Sequence, residues 1–116
     1  MNVSFDGIGL QTVTFKAASG VTAGIPVKIS AAKTVAACEE EDVFIGVSGN
    51  VCDDGYAAVA LHGFITLPYS GETAPSLGWN LLLADGDGGV IVDDSDGILC
   101  LVTEVDTTGG KVSFFM

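Results

Sequence analysis

Basic residues are scarce in this sequence: 4 Lys and Arg stand against 15 Asp and Glu, a formal net charge of -11 over 116 residues. A field of that sign repels phosphate backbones, which argues against direct nucleic-acid binding. Histidine is rarer still. His62 is the sole candidate base for any Ser/His/Asp arrangement, yet it lies inside a strand-like stretch and the chain has no GxSxG motif. A structural or interface histidine is therefore favoured, and no catalytic residue is assigned. The cysteines, Cys38, Cys52 and Cys100, are odd in number and form no CxxC pair. That pattern supports neither a complete disulfide framework nor a zinc knuckle, so reduced, partly buried thiols are expected and no metal ligand is assigned. Long apolar runs are also missing. The longest stretch without Asp, Glu, Lys or Arg, Gly55 to Gly71, contains His62 and Pro68 and alternates like a strand, so no membrane span is expected. The opening MNVSFDGIGL has no basic region ahead of an apolar block, and a cleaved secretory signal is not expected.

Apolar residues, by contrast, are in surplus. They make up 48% of the chain, and only 16% of residues are charged. The length suits one domain with one core. The apolar content exceeds what such a core hides, and burial between subunits would absorb the excess.

The clearest architectural signal is VFIGVSGNVCDDGYAAVALHGFITL, Val43 to Leu67, which reads as a hairpin. Its first arm places Val43, Ile45 and Val47 on one face and Phe44, Gly46 and Ser48 on the other. In its second arm Ala57, Val59, Leu61, Ile65 and Leu67 share a face, over a span from Tyr56 to Leu67 long enough to predict a bend at Gly63. Asp53, Asp54 and Gly55 supply the turn. Since the odd-numbered face suits the core, the even-numbered one, Tyr56, Ala58, Ala60, His62, Phe64 and Thr66, is expected in a subunit or exterior contact.

Further short strands are predicted over Leu10 to Phe15, Gly24 to Ser30 with Pro26 at its start, and Thr34 to Cys38. Others follow over Trp79 to Ala84, Val90 to Val92, Ile98 to Val105 and Lys111 to Met116. The acidic runs Glu39 to Asp42 and Asp93 to Gly97 are expected in solvent, and Pro68 to Gly78 reads as a connecting loop. Residues 1–9 lack sustained periodicity and are expected to form an N-terminal arm ahead of a single domain over 10–116. Sliding the sequence against itself by 54 positions brings Gly24 onto Gly78, Val27 onto Leu81, Ile29 onto Leu83 and Gly55 onto Gly109. Two copies of a four-strand unit, near 22–61 and 76–115, are inferred from that match. The expected fold is all-β: a small single-domain barrel or flattened sandwich of short antiparallel strands, built from two pseudo-repeated halves.

Three weaker chemical signals were weighed against plain structure. Asp85-Gly86-Asp87 and Asp93 to Gly97 concentrate oxygen ligands, but their spacing is not that of an EF-hand, and solvated turns are favoured. The glycines of Gly86-Asp87-Gly88-Gly89 open no helix and stand beside aspartates, so they make no phosphate cradle. Trp79, Tyr56 and Tyr69 offer stacking surfaces for a sugar, although a tryptophan sharing a strand face with Leu81 and Leu83 is expected in the core.

In succession, Thr14-Phe15-Lys16-Ala17-Ala18, Gly24-Ile25-Pro26-Val27-Lys28-Ile29, Phe44-Ile45-Gly46-Val47 and His62-Gly63-Phe64-Ile65-Thr66-Leu67-Pro68 resemble the small capsid-cement, or head-decoration, proteins of tailed phages and prophages. The resemblance covers roughly Gln11 to Phe115, in short and degenerate pieces. It implies a non-enzymatic structural protein without cofactors, made in the bacterial host cytoplasm and carried on the virion capsid surface. The implied partners are the phage major capsid protein and further copies of the chain, a trimer being favoured. Met1, Asn2, Val3, Ser4 and Phe5 of the arm, with Tyr56, His62 and Phe64, are the expected capsid or subunit contacts. The alternative is a carbohydrate- or small-ligand-binding β module.

Overall fold

A computed structural model describes residues 11–116. Met1, Asn2, Val3, Ser4 and Phe5, the expected contacts of the arm, lie outside the described residues, as does Leu10. The described chain is all-β, with ten strands: β1 (Gln11–Ala17), β2 (Pro26–Ala31), β3 (Thr34–Ala37), β4 (Gly46–Val51), β5 (Tyr56–His62), β6 (Phe64–Pro68), β7 (Gly78–Ala84), β8 (Val90–Asp93), β9 (Ile98–Asp106) and β10 (Lys111–Phe115). They make two five-stranded sheets within a body of 38 × 34 × 22 Å.

The first sheet, in the order β1-β3-β2-β4-β5, closes into a barrel. Not every rung is antiparallel, contrary to expectation: β1 runs antiparallel to β5 but parallel to β3, through Lys16↔Thr34 and Ala17↔Val35. A closed ring of five strands cannot alternate direction all the way round, so at least one rung must be parallel. The second sheet repeats the same order five strands on, β6-β10-β9-β7-β8. Its outer strands meet only at the parallel bridge Tyr69↔Val90, beside a Ser70 N–H to Val90 carbonyl bond of 3.0 Å. That bridge is the counterpart of Ala17↔Val35.

The repeating unit therefore has five strands rather than four, and its offset over β2, β3 and β5 is 55 residues rather than 54. Val27↔Ala37, Lys28↔Ala36 and Ile29↔Val35 become Leu82↔Val92, Leu83↔Ile91 and Ala84↔Val90. The same offset superposes fully buried positions: Val27 on Leu82, Val35 on Val90 and Val59 on Phe114. It also superposes Gly55 on Gly110, both at positive φ, 87° and 67°, which lets each close its hairpin. A shift of one residue exchanges the faces of a strand, and the 54-residue match had exchanged them.

Two corrections concern the central hairpin. Its second arm is not one strand: Gly63, at φ 131°, breaks it at the expected bend, and β5 stays in the barrel while β6 enters the second sheet. Its first arm has the opposite phase at its start. Val43 is 55% exposed, whereas Phe44 is fully buried in the second sheet's core beside Leu82, Ala84 and Phe114. The cause is the crossing of the chain between the sheets. Glu41 donates its N–H to the Ala84 carbonyl at 2.9 Å and the Ala84 N–H reaches the Asp42 carbonyl at 3.0 Å, so this segment pairs alongside the end of β7 and carries Phe44 into the second sheet's core. Asp42 is correspondingly half-buried, paired with Lys28 at 2.7 Å, unlike the exposed Glu39, Glu40 and Glu41. The barrel keeps its own smaller core of Val21, Val27, Val35 and Val59.

Candidate docking face on the second sheet

β7 places Asn80, Leu82 and Ala84 inward, which turns Trp79 and Leu81 outward. Trp79, expected in the core, is 67% exposed. Asn80 makes this phase tenable: its buried amide donates to the Ser76 and Gly78 carbonyls at 2.7 and 3.0 Å and accepts the Ser76 N–H at 3.3 Å. No polar cost is left inside, and the loop before β7 is held with Leu77 in solvent.

Register then extends the exposed row across four strands. Trp79 is opposite Leu101, Leu101 opposite Phe115, and Phe115 opposite Phe64. Side chains opposite one another share a face. The Phe64 and Phe115 rings lie 4.9 Å apart, tilted by 59°. Alongside runs a second row, Leu81 opposite Leu99, with Leu99 58% exposed. Residues that are half-buried (Phe64, Leu81, Leu101, Phe115) thus join two exposed ones, Trp79 and Leu99, in a single apolar face.

Acidic residues edge this face. Asp93 is opposite Leu81, Asp94 follows it, and Glu104 is opposite Ser113 one row beyond Phe115. The Asp93 carboxylate accepts N–H bonds from Asp96 at 2.7 Å and Ser95 at 3.0 Å, which hold its carboxyl below the usual carboxylate range. A groove of about 360 Å³ is lined by Trp79, Leu81 and Leu99 together with Asp93 and Asp94.

Of the residues expected as contacts, Phe64 belongs to this face. His62 is exposed one strand-break away, and Tyr56 is exposed at the other end of β5, on the order of 20 Å off at ~3.3 Å per residue. The sequence reading places Trp79 in the core or against a sugar and assigns no contact to Leu99, Leu101 or Phe115. The alternation Leu99-Cys100-Leu101 around a buried thiol carried the missing signal.

The aspartates of the turns serve the turns. Asp85 Oδ1 accepts from the Asp87 and Gly89 N–H groups at 2.7 and 2.9 Å, while its Oδ2 takes the Ser70 hydroxyl at 2.9 Å. Asp106 and Asp54 accept turn N–H groups in the same way. Among the described residues no three Asp, Glu, His or Cys side chains converge as a metal-binding group. Cys38, Cys52 and Cys100 are free thiols. Burial pushes Cys100 up to about 12 and Cys38 up to about 11, which suppresses their nucleophilicity.

Comparison of the chain with protein-family models and with curated proteins finds no match.

Proposed function

We propose that this chain is a non-enzymatic virion structural protein that decorates and stabilises the outside of a tailed-phage capsid shell. The observation that carries the reading is the exposed pair Trp79 and Leu99 on the outer face of the second sheet, continued by half-buried Leu81 and Leu101. Contiguous apolar surface of this kind suits a protein–protein contact. The motif resemblance from Gln11 to Phe115 supplies the partner class, the major capsid protein. The net charge of -11 suits a position outside the shell, away from packaged DNA. Decoration as a homo-oligomer, with a trimer favoured, lets modest contacts reinforce one another on one shell. Purified protein mixed with undecorated expanded heads of the phage or prophage encoding it is expected to co-sediment with them and raise their disruption temperature. No association at any protein concentration would refute the proposal.

Trp79 beside Asp93 and Asp94 also supports the second reading, a carbohydrate-binding module in which the indole stacks on a sugar ring. Retention on a glycan array, abolished by Trp79→Ala, with no affinity for heads, would favour it.

A further inference from the structure

We infer that the Trp79 face docks onto a different protein whose contact surface has an apolar centre framed by lysine or arginine; the identity of that protein as the shell subunit rests on the decoration reading above. The chain's internal repeat supplies a control for why the face is apolar. At the 55-residue offset Leu81 corresponds to Pro26 and Phe115 to Ala60. Phe64, opposite Phe115, corresponds to Thr12, opposite Ala60. The barrel thus builds the same strand order with proline, alanine and threonine where the second sheet carries leucine and phenylalanine.

Size and charge select the occupant. Trp79 and Leu99 alone present on the order of 300 Å² of apolar surface, at the lower end of the range for the largest patch on a monomer. That is about a third of the roughly 800 Å² per partner in a standard interface, enough to form its apolar centre. The remainder must come from the rim, and this rim is acidic: Asp93 and Asp94 at one edge, Glu104 at the other. From Phe64 onward the chain has eight acidic residues and one lysine, Lys111. A second copy would bring like charges together, which costs affinity, whereas a frame of lysine or arginine meets the rim with opposite charge.

The test uses the full chain and undecorated expanded heads, with per-site affinity read by sedimentation at several salt concentrations. Trp79→Ala and Leu99→Glu, both at exposed positions, should each weaken binding about 30-fold or more, as the centre of an interface does. Glu104→Lys should also weaken binding and flatten its salt dependence, while Asp53→Lys, the same charge change in the β4–β5 turn of the barrel, should leave both unaltered. Thermal melting of each variant separates lost binding from lost folding, and Glu104→Lys tests the rim without touching the apolar centre. Wild-type affinity in Trp79→Ala and Leu99→Glu would overturn the inference and leave decoration standing. Equal or tighter binding by Glu104→Lys would overturn the basic frame. Loss of self-association with head binding intact would make a second copy the occupant, and failure of the wild type to bind heads would overturn inference and decoration together.

Discussion

Phe44→Ala is the substitution that probes most directly how the two sheets are joined. Phe44 leaves the barrel strand order just before β4 and is fully buried among Leu82, Ala84 and Phe114 of the other sheet. A buried phenylalanine removes roughly 150–250 Å² from water, worth about 4–6 kcal/mol at 25 cal/mol per Å². Alanine keeps the methyl and loses the ring, and the surroundings relax only in part, so a loss of about 3–5 kcal/mol is expected. For a domain of this size that corresponds to a fall in Tm of roughly 12–25 °C. Chemical denaturation should give the same loss through a lower midpoint at nearly unchanged slope. Hydrogen exchange adds a spatial check: amides of β7 and β9, which flank the vacated site, should lose more protection than those of β1 and β5. Phe44→Leu should cost much less, because it fills most of the volume. A loss below about 1 kcal/mol for Phe44→Ala, within the range of a surface substitution, would refute the placement of this ring in the second core.

The Lys28–Asp42 pair fastens the same crossing and sets a pH dependence. The Lys28 hydrogen bond and then the Glu39 N–H lower the Asp42 pKa below its ordinary 3.8, so its contribution is present above that value and lost as pH falls through the folded pKa. Asp42 in turn raises Lys28 above 10.5, a contribution present below that pH and lost as pH rises through the folded value. Asp42→Asn should therefore lower Tm by a constant small amount between about pH 5 and pH 9 and by progressively less as pH falls below 3.8, measured by calorimetry. A deficit that persists in acid would contradict the ion pair. Thiol labelling at pH 8 under native conditions should modify exposed Cys52 first, half-buried Cys38 more slowly, and buried Cys100 only on unfolding. Three equal rates would show that Cys100 is not in the core.

How much was legible in the sequence depended on whether a strand had a polar face. In β5 and β6 the odd-numbered Ala57, Val59, Ile65 and Leu67 are buried, as their alternation against Tyr56, His62 and Thr66 implied. The Gly63 bend, the Pro26 strand start and the acidic hairpin turns were readable because glycine and proline act through backbone geometry. In β7 the run Trp79-Asn80-Leu81-Leu82-Leu83-Ala84 is apolar at nearly every position, so period 2 has no phase to report. The Gly109-Gly110 doublet then allowed the repeat to slip, since Gly55 matches either glycine by letter and only Gly110 has the positive φ. Closure of the barrel through a parallel rung was beyond strand patterning, because it depends on the count and order of strands.

The unreadable strands and the candidate docking face are the same residues, for one physical reason. A strand that carries apolar side chains inward for the core and outward for a partner loses the contrast by which its faces are told apart. The barrel half, with small residues on the corresponding positions, has no such demand. This links the slip of one residue in the repeat to the surplus of apolar composition: both come from bulk placed on the outer face of the second sheet. Local rules fail where a residue answers to something other than the fold. Here they fail at Trp79, and the one lysine in that half of the chain leaves its acidic rim short of opposite charge.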